Sequence, residues 1–185
     1  MTEENMEASR TGIAETESPS DSVTLTRVFD APRDLVYRAW TEPERLAQWW
    51  GPKGFTMEIA WLDLRPGGVF HYRMRSPNGE EMWGKFVYRE VVPPERLVFV
   101  NSFSDEEANV VRNPFRADWP LEVQSTLTLT EEEGRTTLTM TGIPVNATEP
   151  EREAFIAGRA GMQEGFKGTW DQLDEYLASV LKDAS

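Results

Sequence analysis

The sequence predicts an α+β fold in which a curved antiparallel β-sheet wraps around a long C-terminal helix, with two short helices after the first strand. Short turn motifs, such as Pro66-Gly67-Gly68 and Pro93-Pro94, separate successive strand patterns, and short turns connect antiparallel neighbours. The end of the chain instead carries apolar residues at helical spacing. A strongly curved sheet needs its concave face covered, and this helix is the predicted cover.

The elements before the last helix follow from local patterns. Residues 23–29 alternate apolar and polar side chains as a strand does, and Pro32 begins a helix in its first turn, where its missing N–H is harmless. Thr41 is a candidate cap for a second short helix that stops at Gly51. Further strands are predicted at residues 55–61, 69–75, 82–91, 96–103, 123–130 and 136–141.

The final helix has a start signal and an interrupted pattern. Thr148 and Glu151 have the spacing of a capping box, and the apolar pattern continues to about residue 181. Glycines weaken a helix and are tolerated best where a backbone or a ligand approaches closely. They occur inside this pattern at Gly158, Gly161, Gly165 and Gly168.

Composition bounds the class of protein. The 185 residues carry a net charge of −13 and no cysteine, so disulfides and Cys-ligated zinc are excluded, and nucleic acid and anionic membranes are poor partners. Residues 1–22 are acidic and poor in apolar side chains, which predicts a disordered tail before a folded domain at residues 23–182. Without a signal peptide or a long apolar run, we expect a cytoplasmic protein with no membrane insertion.

Catalytic motifs are missing from the sequence. It contains no HExxH, GxSxG or Gly-Lys-Ser/Thr pattern and no EF-hand loop. His71 is the single histidine, and its strand parity sets it opposite Phe70 and Tyr72, so we expect it to face solvent. We therefore predict no catalytic residue, no metal site and no cofactor.

An aromatic sheet face is the best candidate site. Side chains of matched parity on two neighbouring strands either fill a core or wall a cavity, and the sequence leaves both interpretations open. The long connection 104–120 is either a lid or a surface excursion. The predicted ligand-binding residues are Trp61, Phe70, Tyr72, Met74, Phe86, Tyr88, Phe99, Phe115, Trp119, Met162, Phe166 and Trp170.

Several motifs together resemble a known family. In chain order they are Phe29-Asp30-Ala31-Pro32, Trp49-Trp50-Gly51-Pro52, Asp63-Leu64-Arg65-Pro66-Gly67-Gly68, Val91-Val92-Pro93-Pro94-Glu95-Arg96-Leu97, Asn113-Pro114, Asn146-Ala147-Thr148-Glu149 and Gly165-Phe166. With this order of elements, the chain resembles the activator of Hsp90 ATPase homologue-like family, within the START-like (SRPBCC) superfamily of Bet v-type helix-grip folds.

The resemblance implies a deep cavity between the sheet and the C-terminal helix. Related proteins use such cavities for lipids, sterols, polyketides or other hydrophobic molecules. The leading hypothesis is therefore non-enzymatic binding of a small hydrophobic ligand. The alternatives are a co-chaperone-like module that modulates an Hsp90-type ATPase by contacting a chaperone or other protein partner, and a hydrolase or cyclase that works inside the cavity.

Overall fold

The computed structural model describes residues 21–184, so the predicted tail lies outside the described residues except for Asp21 and Ser22. The strands are β1 (Val23–Phe29), β2 (Thr56–Leu62), β3 (Val69–Arg75), β4 (Glu81–Val92), β5 (Arg96–Ser104), β6 (Val110–Val111), β7 (Glu122–Glu132) and β8 (Arg135–Val145). The helices are α1 (Arg33–Thr41), α2 (Pro43–Trp49), α3 (Glu149–Ala157) and α4 (Arg159–Asp183).

One antiparallel sheet contains every described strand, in the order β1-β8-β7-β5-β4-β3-β2, with the short β6 paired to β5. The predicted α+β class, the curved sheet, the long C-terminal helix and the two short helices after the first strand are confirmed. The strand β6 was not predicted, and it lies inside the long connection after β5. The concave face of the sheet carries the core and faces the helices.

The final helical segment is two helices, so the prediction of one continuous helix was wrong. Its start is confirmed: the Glu151 backbone N–H donates to Thr148 Oγ1 at 3.3 Å, and the Glu151 side chain completes the capping box. The break falls at Gly158, where an added Cβ would lie 2.8 Å from Cζ3 of Trp119. An aromatic ring from another part of the chain packs on this junction, and helix periodicity alone does not reveal it.

Within residues 21–184, no helix has both the length and the apolar character that crossing a bilayer requires.

Candidate ligand-binding cavity

The two halves of α4 make different contacts. Its second half is held in the core by the buried side chains of Thr169, Trp170, Leu173 and Leu177. None of the side chains at residues 159–168 is fully buried. This first half therefore lies above the concave face of the sheet without filling the space beneath it.

That space consists of three adjoining lobes, which we call the cavity. Lobe 1, of about 130 Å³, is lined by Tyr72, Met74, Trp83, Gly84, Asn101, Ser102, Phe103, Trp119, Pro120, Leu121 and Val123. Lobe 2, of about 160 Å³, is lined by Val23, Leu25, Asn101, Trp119, Val123, Ser125, Met140, Gly142, Phe155, Met162 and Phe166. Lobe 3, of about 240 Å³, is lined by Trp50, Gly51, Pro52, Tyr72, Met74, Met162, Gly165, Phe166 and Thr169.

Shared side chains separate the lobes. Asn101 and Trp119 stand between lobes 1 and 2, and Tyr72 stands between lobes 1 and 3. Met162 and Phe166, which point down from α4, border both lobes 2 and 3. Each lobe alone is smaller than a usual small-molecule site of about 300–1,000 Å³, so a ligand of that size spans more than one lobe.

Tyr72 owes its position to the glycine opposite it. Tyr72 on β3 pairs with Gly84 on β4, and an added Cβ at Gly84 would lie only 2.5 Å from the Tyr72 hydroxyl oxygen. The ring therefore lies flat across the glycine, in contact with Phe70 at a centroid distance of 4.7 Å. Burial raises the pKa of Tyr72 to about 12, so its hydroxyl stays protonated at neutral pH.

The turn after α2 forms the wall of lobe 3. Gly51 adopts φ +106°, and its carbonyl accepts hydrogen bonds from Thr169 Oγ1 at 3.1 Å and Gln172 Nε2 at 2.8 Å. These two bonds tie the turn to the second half of α4. Trp50 is thereby held edge-on to Phe86, with a centroid distance of 5.4 Å.

The long connection after β5 brings Trp119 to the cavity. The Arg112 guanidinium donates to the Trp119 carbonyl at 3.0 Å and to Glu151 Oε2 at 2.8 Å, which ties the connection to the start of α3. Trp119 packs on Phe155 at a centroid distance of 5.4 Å. Phe115 instead is 65% exposed and lines none of the lobes. The prediction that Phe115 belongs to the cavity wall was therefore wrong.

The sequence reasoning missed two polar residues on the cavity floor. Asn101 of β5 lies between lobes 1 and 2, and the Ser125 hydroxyl of β7 donates to Asn101 Oδ1 at 3.1 Å. Asn101 has the same strand parity as Phe99, which was a predicted site residue. That parity was the available signal for finding it.

Of the predicted ligand-binding residues, five line the cavity: Tyr72, Met74, Trp119, Met162 and Phe166. Four others pack as core beneath it: Phe70, Phe86, Tyr88 and Phe99. Phe86 and Phe99, for example, stack at 4.1 Å between centroids. Trp170 lines an open pocket beside β1, together with Arg27 and Lys167, and this pocket shares Leu25 and Phe166 with lobe 2.

Trp61 lies on the convex face, so its predicted place in the cavity wall was wrong. The register of β2 shifts between Ile59 and Trp61, which pairs Trp61 with His71 instead of a concave-face residue. A β-bulge of this kind moves every later side chain to the opposite face. Trp61 is consequently 47% exposed.

His71 lies on the convex face as its parity predicts, but it is fully buried, so the expectation of solvent exposure was wrong. Trp83 stacks on its ring at 4.8 Å and Trp61 lies 4.9 Å away, both between centroids. The loop after β5 completes the cover, with 3.0 Å between His71 Nε2 and the Asp105 carbonyl oxygen. The sheet separates this histidine from the cavity.

The cavity lining is uncharged. Its three lobes contain no Asp, Glu, Lys, Arg or His among residues 21–184, and Tyr72 is their only tyrosine. The nearest cation on β1, Arg27, is held by Asp171 at 2.7 Å and Asp174 at 2.5 Å. No group of three or more His, Asp or Glu side chains within the described residues could hold a metal ion.

Comparisons with known proteins agree with this architecture. A protein of Mycobacterium smegmatis is 28% identical, with a TM-score of 0.70 over 86% of this chain and 92% of its own. A protein of Arthrobacter aurescens is 26% identical, with a TM-score of 0.72 over 85% and 86%. One of Nitrosomonas europaea is 27% identical, with a TM-score of 0.70 over 91% and 100%.

No curated protein is significantly similar to this sequence. The family model described as "Activator of Hsp90 ATPase homolog 1-like protein" matches residues 30–178. The match covers most of the chain. It leaves out β1 and the last turn of α4, and it includes every other element that bounds the cavity. The chain therefore belongs to the family of activator of Hsp90 ATPase homolog 1-like proteins.

Proposed function

We propose that this protein binds a small hydrophobic molecule in the cavity between the sheet and the first half of α4. The observation that carries the proposal is the roof of the cavity. Met162 and Phe166 point down into lobes 2 and 3, but neither is fully buried, because the sheet below does not reach them. Covering apolar surface of this kind contributes about 25 cal/mol per Å² before ordering costs.

One glycine of α4, Gly165, supports the same proposal. An added Cβ at Gly161 or Gly165 meets no atom within 4 Å, so close packing of the protein does not explain either glycine. Gly165 lines lobe 3, whereas Gly161 lines none of the lobes. The glycine at 165 leaves lobe 3 wider than any larger side chain would.

An acid–base hydrolase is less well supported by the same lining. Such chemistry needs a group that takes up or releases a proton near neutral pH. Tyr72 is the titratable side chain that borders the lobes, and burial raises its pKa to about 12. A tyrosine of this kind donates a hydrogen bond but is a poor general base.

Two matched substitutions on one helix test the proposal. Gly165→Leu places an isobutyl group at the wall of lobe 3, whereas Gly161→Leu places the same group on the same helix outside the lobes. Both replace glycine in a helix, so both should raise the free energy of unfolding by about 0.5–1 kcal/mol. Only Gly165→Leu should weaken binding of the neutral fluorescent probe N-phenylnaphthylamine, by roughly tenfold.

Fluorescence titration of wild type and both variants gives the readout. Equal binding by the two variants would place the probe outside lobe 3. An absence of binding by the wild-type protein would contradict the proposed function itself.

A further inference from the structure

From the uncharged lining and the Asn101 amide, we infer that the ligand is a neutral, mainly apolar molecule that carries a carbonyl oxygen, and that Asn101 is the residue that selects it. The inference rests on the proposed function, since it concerns the same cavity. It adds the chemical class of the ligand and the specificity-determining residue.

The orientation of the Asn101 side chain provides the first step. Its Oδ1 accepts the hydrogen bond from the Ser125 hydroxyl at 3.1 Å. No hydrogen bond among residues 21–184 uses its Nδ2. Because Asn101 borders lobes 1 and 2, two N–H donors are available where these lobes meet. A ligand oxygen that accepts from this amide would satisfy them.

The charge of the lining provides the second step. A carboxylate or phosphate moved into the cavity would lose its hydration and meet no cation, because no Lys, Arg or His lines the three lobes within the described part of the chain. Two cations, Arg27 and Lys167, line the neighbouring pocket. Both are already paired with carboxylates, Arg27 with Asp171 and Asp174 and Lys167 with Asp171. A cationic ligand would find no carboxylate in the lobes either.

The remaining polar lining also favours an acceptor oxygen. Tyr72 keeps its proton at neutral pH, since burial raises its pKa to about 12. The amide of Asn101 and the phenol of Tyr72 both border lobe 1, and both are neutral donors. A carbonyl oxygen accepts from such groups, whereas a pure hydrocarbon leaves them unpaired at a cost.

Three compounds with the same two-ring skeleton test this inference by isothermal titration calorimetry. They are benzophenone, with a neutral carbonyl, diphenylmethane, without one, and benzoylbenzoate, which is anionic at about pH 8. We expect benzophenone to bind about three- to tenfold more tightly than diphenylmethane, as one added hydrogen bond predicts. Benzoylbenzoate should bind at least about a hundredfold more weakly than benzophenone.

Equal affinities for benzophenone and diphenylmethane, or benzoylbenzoate binding as tightly as benzophenone, would overturn the inference and leave the proposed function standing. Binding of none of the three would overturn both. Because this comparison uses the wild-type protein, it does not depend on the folding of any variant.

The substitution Asn101→Leu tests whether Asn101 causes the preference for benzophenone over diphenylmethane. In this variant the ratio of the benzophenone and diphenylmethane affinities should fall to about one. Asn78→Leu is the matched control, because Asn78 lies exposed in the turn between β3 and β4, and it should keep the wild-type ratio. A wild-type ratio in folded Asn101→Leu would show that Asn101 does not select the ligand.

Discussion

At the scale of single residues, small side chains shape the cavity as much as large ones do. Gly84 lets the Tyr72 ring lie across β4, and Gly158 leaves room for the Trp119 ring at the junction of α3 and α4. Both rings border lobe 1. The walls of the cavity therefore depend on the space that these two glycines leave for aromatic rings.

Gly84→Ala should destabilise the protein and weaken probe binding. The new methyl carbon would lie 2.6 Å from Cζ of Tyr72, and the ring has little freedom to move because Phe70 and Phe86 pack against it. Overpacking of this kind costs about 1–3 kcal/mol. Urea denaturation measures the loss. Gly161→Ala, whose new methyl group meets no atom within 4 Å, should raise the free energy of unfolding by about 0.5–1 kcal/mol through helix propensity, and equal stability of the two variants would contradict this account.

The alternation of side chains along a strand predicts the face of each residue correctly only where strand pairing has no bulge. Phe70, Tyr72 and Met74 point to the concave side because the pairing of β3 with β4 has no irregularity. Trp61 points away from it because β2 contains a bulge that alternation alone does not reveal. His71 is on the predicted face, but its burial depends on the loop at Asp105, far along the chain.

At the scale of elements, the connection between β5 and β7 is fixed to α3 and forms part of the cavity wall. Its contact with α3 is made by Arg112 and Glu151, and Trp119 then reaches lobes 1 and 2. The Glu151 carboxylate accepts hydrogen bonds from the Thr148 backbone N–H and from the Arg112 guanidinium. These hydrogen bonds lower the pKa of Glu151 to about 2. One carboxylate thus both caps α3 and anchors the connection.

This anchor should weaken in acid. A pKa lowered from the usual value of about 4.3 means that the Glu151 contacts stabilise the folded protein above that pH and are lost as the pH falls toward about 2. The indole N–H resonance of Trp119 in NMR spectra should therefore titrate over this range. Glu151→Gln should abolish that titration, whereas Glu153→Gln, an exposed neighbour, should retain it. A Trp119 signal with the same titration in both variants would contradict the anchoring role.

The sequence located most elements because their signals are local. The capping box at Thr148 and the alternation of residues 23–29 are examples. The break at Gly158 and the strand β6 were missed because both depend on contacts between the long connection after β5 and other parts of the chain. Trp119 of the connection packs on Gly158, and β6 pairs with β5. Distant contacts likewise place Trp119 of this connection at the cavity, whereas Phe115 of the same connection is exposed.

At the scale of the whole molecule, one helix has two roles. The second half of α4 closes the core and is fixed to β1 by Arg27 with Asp171 and Asp174. The first half roofs the cavity, with Met162 and Phe166 as its downward-facing side chains. The buried contacts of α4 therefore lie outside the proposed binding site, and its first half contributes none of them.

The methionines provide the most direct measurement of this arrangement. Met74, Met140 and Met162 line the lobes, whereas Met57 and Met82 do not. In protein labelled with ¹³C at the methionine methyl groups, titration with benzophenone should shift the resonances of Met74, Met140 and Met162 more than those of Met57 and Met82, which lie beside Met74 on the neighbouring strands. Shifts confined to Met57 and Met82, or no shift at saturating benzophenone, would contradict a ligand site between the sheet and α4.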